Sequence, residues 1–151
     1  MEATRSLPKR FTAIAKDHER LGVSVRRLGD MCSALESEQS ALAPELEPVT
    51  LLADLLADLS QHFVAEEAQA HFGTMVLERP ALVHKIAELI AEHRAMLQAI
   101  AELDAIAADE RRWNELSTPA RHLIARLRAH EHTENELLQD YLLRDDGTAS
   151  D

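Results

Sequence analysis

Four long stretches of this chain repeat apolar side chains at every third or fourth position, a period of about 3.6 residues. An α-helix turns such a pattern into one continuous face. The first stretch runs from about Pro8 to Gln39, with Phe11, Ile14, His18, Leu21, Val25 and Leu28 on its stripe. Ser40–Glu47, which contains Pro44, reads as a connection. The second runs from Pro48 to about Val76 through Leu52, Leu55, Leu59, His62 and Glu66, with Gly73 positioned to fray or kink its end. Glu78-Arg79-Pro80 is a break, because a residue before proline is pushed out of helical geometry. The third runs from Pro80 to about Asp109, with Ile86, Leu89, His93, Met96, Leu97, Ile100 and Leu103 inward. After a loop around Arg111–Asn114, Ser117-Thr118-Pro119 signals the start of the fourth. That helix reaches about Arg144, with Leu123, Leu127, His130, Glu134, Leu137 and Tyr141 inward.

Long helices joined by short loops predict an all-α fold, an antiparallel up-down four-helix bundle. Composition agrees: Ala and Leu supply 47 of 151 residues, against 4 Gly and 5 Pro, and both lose little entropy in a helix. The expectation is a single domain over 1–151, with its core at 8–144 and a tail at 145–151. A formal net charge of -11, with no basic run, disfavours nucleic acid as a partner. No stretch of about 18 apolar residues exists to span a membrane. Asp17, His18 and Glu19 interrupt the place where a signal peptide needs an apolar region. With Cys32 as the only cysteine, these features lead to the expectation of a cytoplasmic protein.

The 8 histidines sort by helical face. His18, His62, His93 and His130 share apolar faces, one on each predicted helix, and all lie near mid-helix. In an up-down bundle they converge on one layer. His122 and His132 fall on polar faces, His84 on a face of small residues, and His71 near a helix end. His62-x-x-x-Glu66 and His130-x-x-x-Glu134 add a carboxylate one turn beyond an inward histidine. The same spacing in His84/Glu88 and His132/Glu136 lies off the inward stripes. Two bare carboxylates in a core would cost several kcal/mol each, and no Lys or Arg shares their stripes, so divalent metal is the expected partner.

Four imidazoles and two carboxylates exceed what one tetrahedral zinc takes. They suit two first-row ions, each with two imidazoles and both sharing the carboxylates; imidazole with carboxylate suits iron. Ferritin-like sites use Glu-x-x-His, which occurs before none of the histidines here.

Asp17-His18-Glu19, His62-Phe63-Val64-Ala65-Glu66-Glu67, Glu92-His93 and His130-Glu131-His132-Thr133-Glu134 resemble, in order and helix placement, the hemerythrin-like HHE cation-binding family. The resemblance spans about His18 to Tyr141. It implies a hemerythrin-like bundle holding two iron ions with an oxo or hydroxo bridge. His18 and His62 would hold one iron and His93 and His130 the other, with Glu66 and Glu134 bridging. It also implies a small-molecule ligand: oxygen, peroxide or nitric oxide. The chain departs from the oxygen carriers at two places. Leu89 and Leu97 stand one turn either side of His93, where carriers have a histidine pair, and Glu134 stands for the carriers' Asp. An iron short of a ligand favours peroxide, nitric oxide or redox chemistry unless His84, Glu92 or water completes it. Glu67, Glu92 and Glu131 are candidates for orienting the imidazoles. Met96, Leu97, Leu89 and Phe63 are candidates for the pocket wall. The competing expectation is a helical interaction module with a structural or mononuclear zinc or iron site.

Overall fold

The computed structural model describes the backbone of residues 9–37 and 41–147, with side chains for 16–37, 41–68 and 71–143. Five α-helices carry the fold: α1 Lys9–Glu36, α2 Pro48–Glu67, α3 Thr74–Glu78, α4 Val83–Ala107 and α5 Ser117–Gly147. The four long ones pack in a ring, α1 beside α2, α2 beside α4, α4 beside α5 and α5 beside α1. Pro8, Ser40 and Thr148–Asp151, where a helix start, a loop and a tail are expected, lie outside the described residues.

Pairings between neighbours fix the antiparallel register. Ser24 Oγ donates to Asp58 at 3.1 Å and Arg27 approaches Asp54 at 3.9 Å, so α2 descends as α1 rises. On the other side late α1 meets the start of α5, where Ser117 Oγ donates to the carbonyl of Cys32 at 3.4 Å and Arg121 forks onto Glu36, while His18, early in α1, lies 3.2 Å from Glu134, late in α5. The start of α2 is set by Glu47, whose carboxylate accepts from the amides of Val49 (3.2 Å) and Thr50 (2.8 Å). Those amide bonds hold the Glu47 carboxyl below its ordinary range.

The expected second helix is interrupted. At Ala68 the backbone turns extended (φ -67, ψ 158), ending α2. A π-helical turn, Gln69–Gly73, follows, and the Gly73 amide donates to the Ala68 carbonyl at 3.3 Å. The predicted break before Pro80 is present, with Arg79 at φ -139, ψ 84. Pro80–Leu82 is a 3₁₀ turn and α4 begins after it. The loops at 44–46 and 110–115 are also 3₁₀ turns, and α5 continues past Arg144 to Gly147.

Buried apolar side chains form two separate clusters. The larger contains Leu28, Leu51, Leu55, Leu59, Met96, Ile100, Leu103 and Leu123. The smaller contains Phe72, Met75, Ile86, Leu89, Leu137 and Tyr141. Leu59 is wholly enclosed. Leu59→Ala is expected to cost about 2–5 kcal/mol, read as a lower urea midpoint. Arg121→Ala, which breaks the exposed fork onto Glu36, is expected to move that midpoint little. Equal losses from the two would contradict the assignment of stability to the core.

Candidate metal centre

Between the two clusters lies a polar layer. His62, Glu66, His93, His130 and Glu134 are buried there, and His18 is half-buried. α1 supplies His18, α2 His62 and Glu66, α4 His93, and α5 His130 and Glu134. All six residues expected from the helical phase thus come together. Ring centroids lie 4.7 Å apart for His18 and His62, and 4.8 Å for His93 and His130.

Each carboxylate divides its oxygens between the two pairs of imidazoles. Glu66 Oε2 lies 3.3 Å from His18 Nε2 and 3.1 Å from His62 Nε2, while its Oε1 lies 3.1 Å from His93 Nε2. Glu134 Oε1 lies 3.2 Å from His18 Nε2, and its Oε2 lies 2.7 Å from His130 Nε2 and 3.6 Å from His93 Nε2. Two overlapping groups result, His18-His62-Glu66-Glu134 and Glu66-His93-His130-Glu134, with ligand-type atoms within 4.8 Å of one another in each.

Of these contacts, the two made by His18 have hydrogen-bond geometry, and the others leave inward atoms unsatisfied. Glu66 Oε1, His93 Nε2, His130 Nε2 and Glu134 Oε2 are buried without a well-formed partner. Inward Nε2 atoms and carboxylate oxygens converging on shared points suit a pair of divalent cations.

The electrostatics follow from the same crowding. Burial opposes charge on His18, but Glu134 and Glu66 outweigh it and raise its pKa from 6.5 to about 10. His93 behaves alike: burial opposes its charge, yet Glu134, Glu66 and Glu67 carry its pKa to about 9. Against the same cost of burial, Glu134 raises His130. Burial works to raise Glu66 and Glu134, but their histidine contacts win and hold both carboxyls low.

The Nδ1 atoms face the other way. His93 Nδ1 donates to Glu67 Oε2 at 2.7 Å, and His130 Nδ1 donates to Glu92 Oε1 at 2.6 Å. His62 Nδ1 stands 3.6 Å from Asp17 Oδ2. Two of the three expected orienting carboxylates are therefore in contact with imidazoles. Glu131 instead lines a cavity of about 30 Å³ beside the centre, with His18, Val25, Leu59, Phe63 and Leu127. Phe63 lies flat on His93, with centroids 3.8 Å apart and planes 5° apart. Of the other residues expected in the pocket wall, Met96 and Leu97 belong to the larger cluster and Leu89 to the smaller. Neither candidate for an extra ligand faces the centre: His84 is exposed, and Glu92 sits on the outer nitrogen of His130. His122 and His132 are exposed, as their faces indicated.

His71 is the residue that helical phase misplaces. It is buried, and with His18, Phe72 and Glu134 it lines a second small cavity under the centre. Burial lowers its pKa below the ordinary imidazole value. Counting at 3.6 residues per turn through Ala68 turns His71 away from Glu66; the extended residue and the π turn reset that phase.

Among the described residues, no helix is long and apolar enough to cross a membrane. The family model described as Hemerythrin HHE cation binding domain matches residues 10–142. No curated protein and no solved structure matches the chain.

Proposed function

The chain belongs to the hemerythrin HHE cation-binding family, and from that premise we propose that it is a non-haem diiron protein. In this reading it binds oxygen or a related small oxidant or radical, such as peroxide or nitric oxide, for sensing, scavenging or storage. The observation that carries the reading is the division of oxygens in Glu66 and Glu134, one toward His18 and His62, the other toward His93 and His130. That arrangement favours two ions over one. His18 and His62 would hold one iron, His93 and His130 the other, and both carboxylates would be shared, with an oxo or hydroxo bridge. Iron bound there supplies one-electron exchange and affinity for small oxidants.

The protein's own side chains do the rest. Glu66 and Glu134 neutralise charge where water is scarce. Phe63, stacked on His93, shields that imidazole from solvent. The cavity of about 30 Å³ between α1, α2 and α5 has room for a molecule of a few atoms. Val25, Leu59 and Leu127 make much of its wall apolar, which suits an uncharged ligand. Leu89, buried one turn before His93, leaves α4 with one imidazole in the layer, so each half of the centre has two.

The test is the purified protein's metal content and absorption spectrum. Two irons per chain with oxo-to-iron charge transfer in the near ultraviolet are expected. One zinc per chain in a colourless protein would sink the diiron reading and leave a structural or mononuclear site.

A further inference from the structure

The carboxylates on the outer faces of the imidazoles follow a rule of placement. Glu67 follows Glu66 of α2, but it bonds His93 of α4 at 2.7 Å. Glu92 precedes His93 of α4, but it bonds His130 of α5 at 2.6 Å. Asp17 precedes His18 of α1, and it faces His62 of α2 at 3.6 Å. Each of these helices thus presents a side chain to the inner layer and, from the adjacent residue, a carboxylate to the next helix around the ring. Among the described residues, no carboxylate occupies the outer nitrogen of His18, so the series stops at that corner.

An ionised carboxylate only accepts, so the nitrogen it meets must carry the proton. Glu67 and Glu92 therefore hold a proton on Nδ1 of His93 and His130, so the proton that metal displaces is the one on the inward Nε2. Both carboxylates reach solvent, at 35% and 51% exposure, while their imidazoles do not, at 1% and 5%. A merely solvated surface charge has no reason to lie within 2.7 Å of a buried ring nitrogen.

We propose that Glu67 and Glu92 are positioning residues for metal uptake, each fixing the tautomer and ring orientation of an imidazole on the neighbouring helix, with Asp17 a looser third. The proposal rests on the reading of the layer as a metal centre. Loss of such a contact typically weakens metal binding about 10- to 100-fold. Asp17 stands beyond hydrogen-bond range and also holds Arg20 at 2.9 Å, so its removal has the smaller effect.

The experiment is cobalt(II) titration of the metal-free protein, with proton NMR of the loaded form. Glu92→Ala and Glu67→Ala are expected to weaken cobalt binding about 10- to 100-fold. Each should also lose the slowly exchanging Nδ1–H signal of its own histidine. Glu92→Gln keeps an oxygen that accepts, so it should restore that signal and most of the affinity. Glu19→Ala, an exposed carboxylate beside His18, should change nothing. Alanine variants that bind like the parent, or a glutamine variant no better than alanine, would overturn the proposal. A parent that takes up no cobalt would overturn the metal centre itself, which is a separate failure.

Discussion

On the proposed two-ion reading, Glu66→Ala is expected to empty both halves of the centre, taking metal content from two ions per chain to essentially none. Glu66 is wholly buried, and its oxygens face His18, His62 and His93. Among the described residues, no other single side chain meets three of the four imidazoles at 3.3 Å or less. In the metal-free protein the same change removes a counter-charge from imidazoles that burial penalises, so stability also falls, by about 3–5 kcal/mol where a buried pair is broken. Glu66→Gln keeps the shape and one accepting oxygen, which separates loss of ligation from collapse of the layer. His122→Ala, on an exposed face, is the control and should keep both ions. The measurement is elemental analysis after gel filtration, beside a melting curve. Retention of both ions by Glu66→Ala would mean that Glu66 is not shared between them.

Chelation at neutral pH is expected to lower the melting temperature by about 10–15 °C. Metal at about 1,000 times its dissociation constant contributes about 4 kcal/mol, and a chain this long shifts by a few degrees per kcal/mol. The metal-free protein should also respond to pH with a definite sign. His18 titrates near 10 and His93 near 9 in the folded state, against 6.5 when unfolded. Between those values the folded chain holds more protons than the unfolded one. The stability these groups contribute is therefore complete below 6.5 and lost as pH rises through 9 to 10. Glu66 and Glu134, held below their ordinary 4.5, contribute stability that is lost as pH falls below that value. The metal-free protein should be most stable between about 4.5 and 6.5. Metal must displace protons from the imidazoles, so the gap between loaded and metal-free forms should widen with rising pH. Calorimetry of both forms at several pH values measures this. A melting temperature of the metal-free form that rises from pH 6.5 to 9.5 would contradict the geometry of the layer.

The four long helices were legible because their apolar faces keep one period from end to end. His18, His62, Glu66, His93, His130 and Glu134 were legible for the same reason: phase on a helix fixes which way a residue points. Phase fails where the backbone leaves the α conformation. The extended residue Ala68 and the start of a π turn lie between Glu66 and His71, and no count at 3.6 residues per turn survives them. The crossed contacts of Glu67 and Glu92 were illegible for another reason. Their positions beside inward residues are visible in sequence, but their partners depend on the register between helices, which packing decides.

His18 and Glu134 meet at 3.2 Å although 116 residues separate them in the chain. His62 and Glu66, by contrast, are neighbours on one helix. The ligand layer therefore cannot be assembled by any hairpin of this bundle; it closes only when the first and last helices dock. Closing so long a loop is among the costlier steps in ordering a chain, and it comes late when local contacts form first. Partly folded chains present fragments of the layer with a histidine or a shared carboxylate missing. A cation that needs ligands from all four long helices would be held only by chains in which all four have found their places.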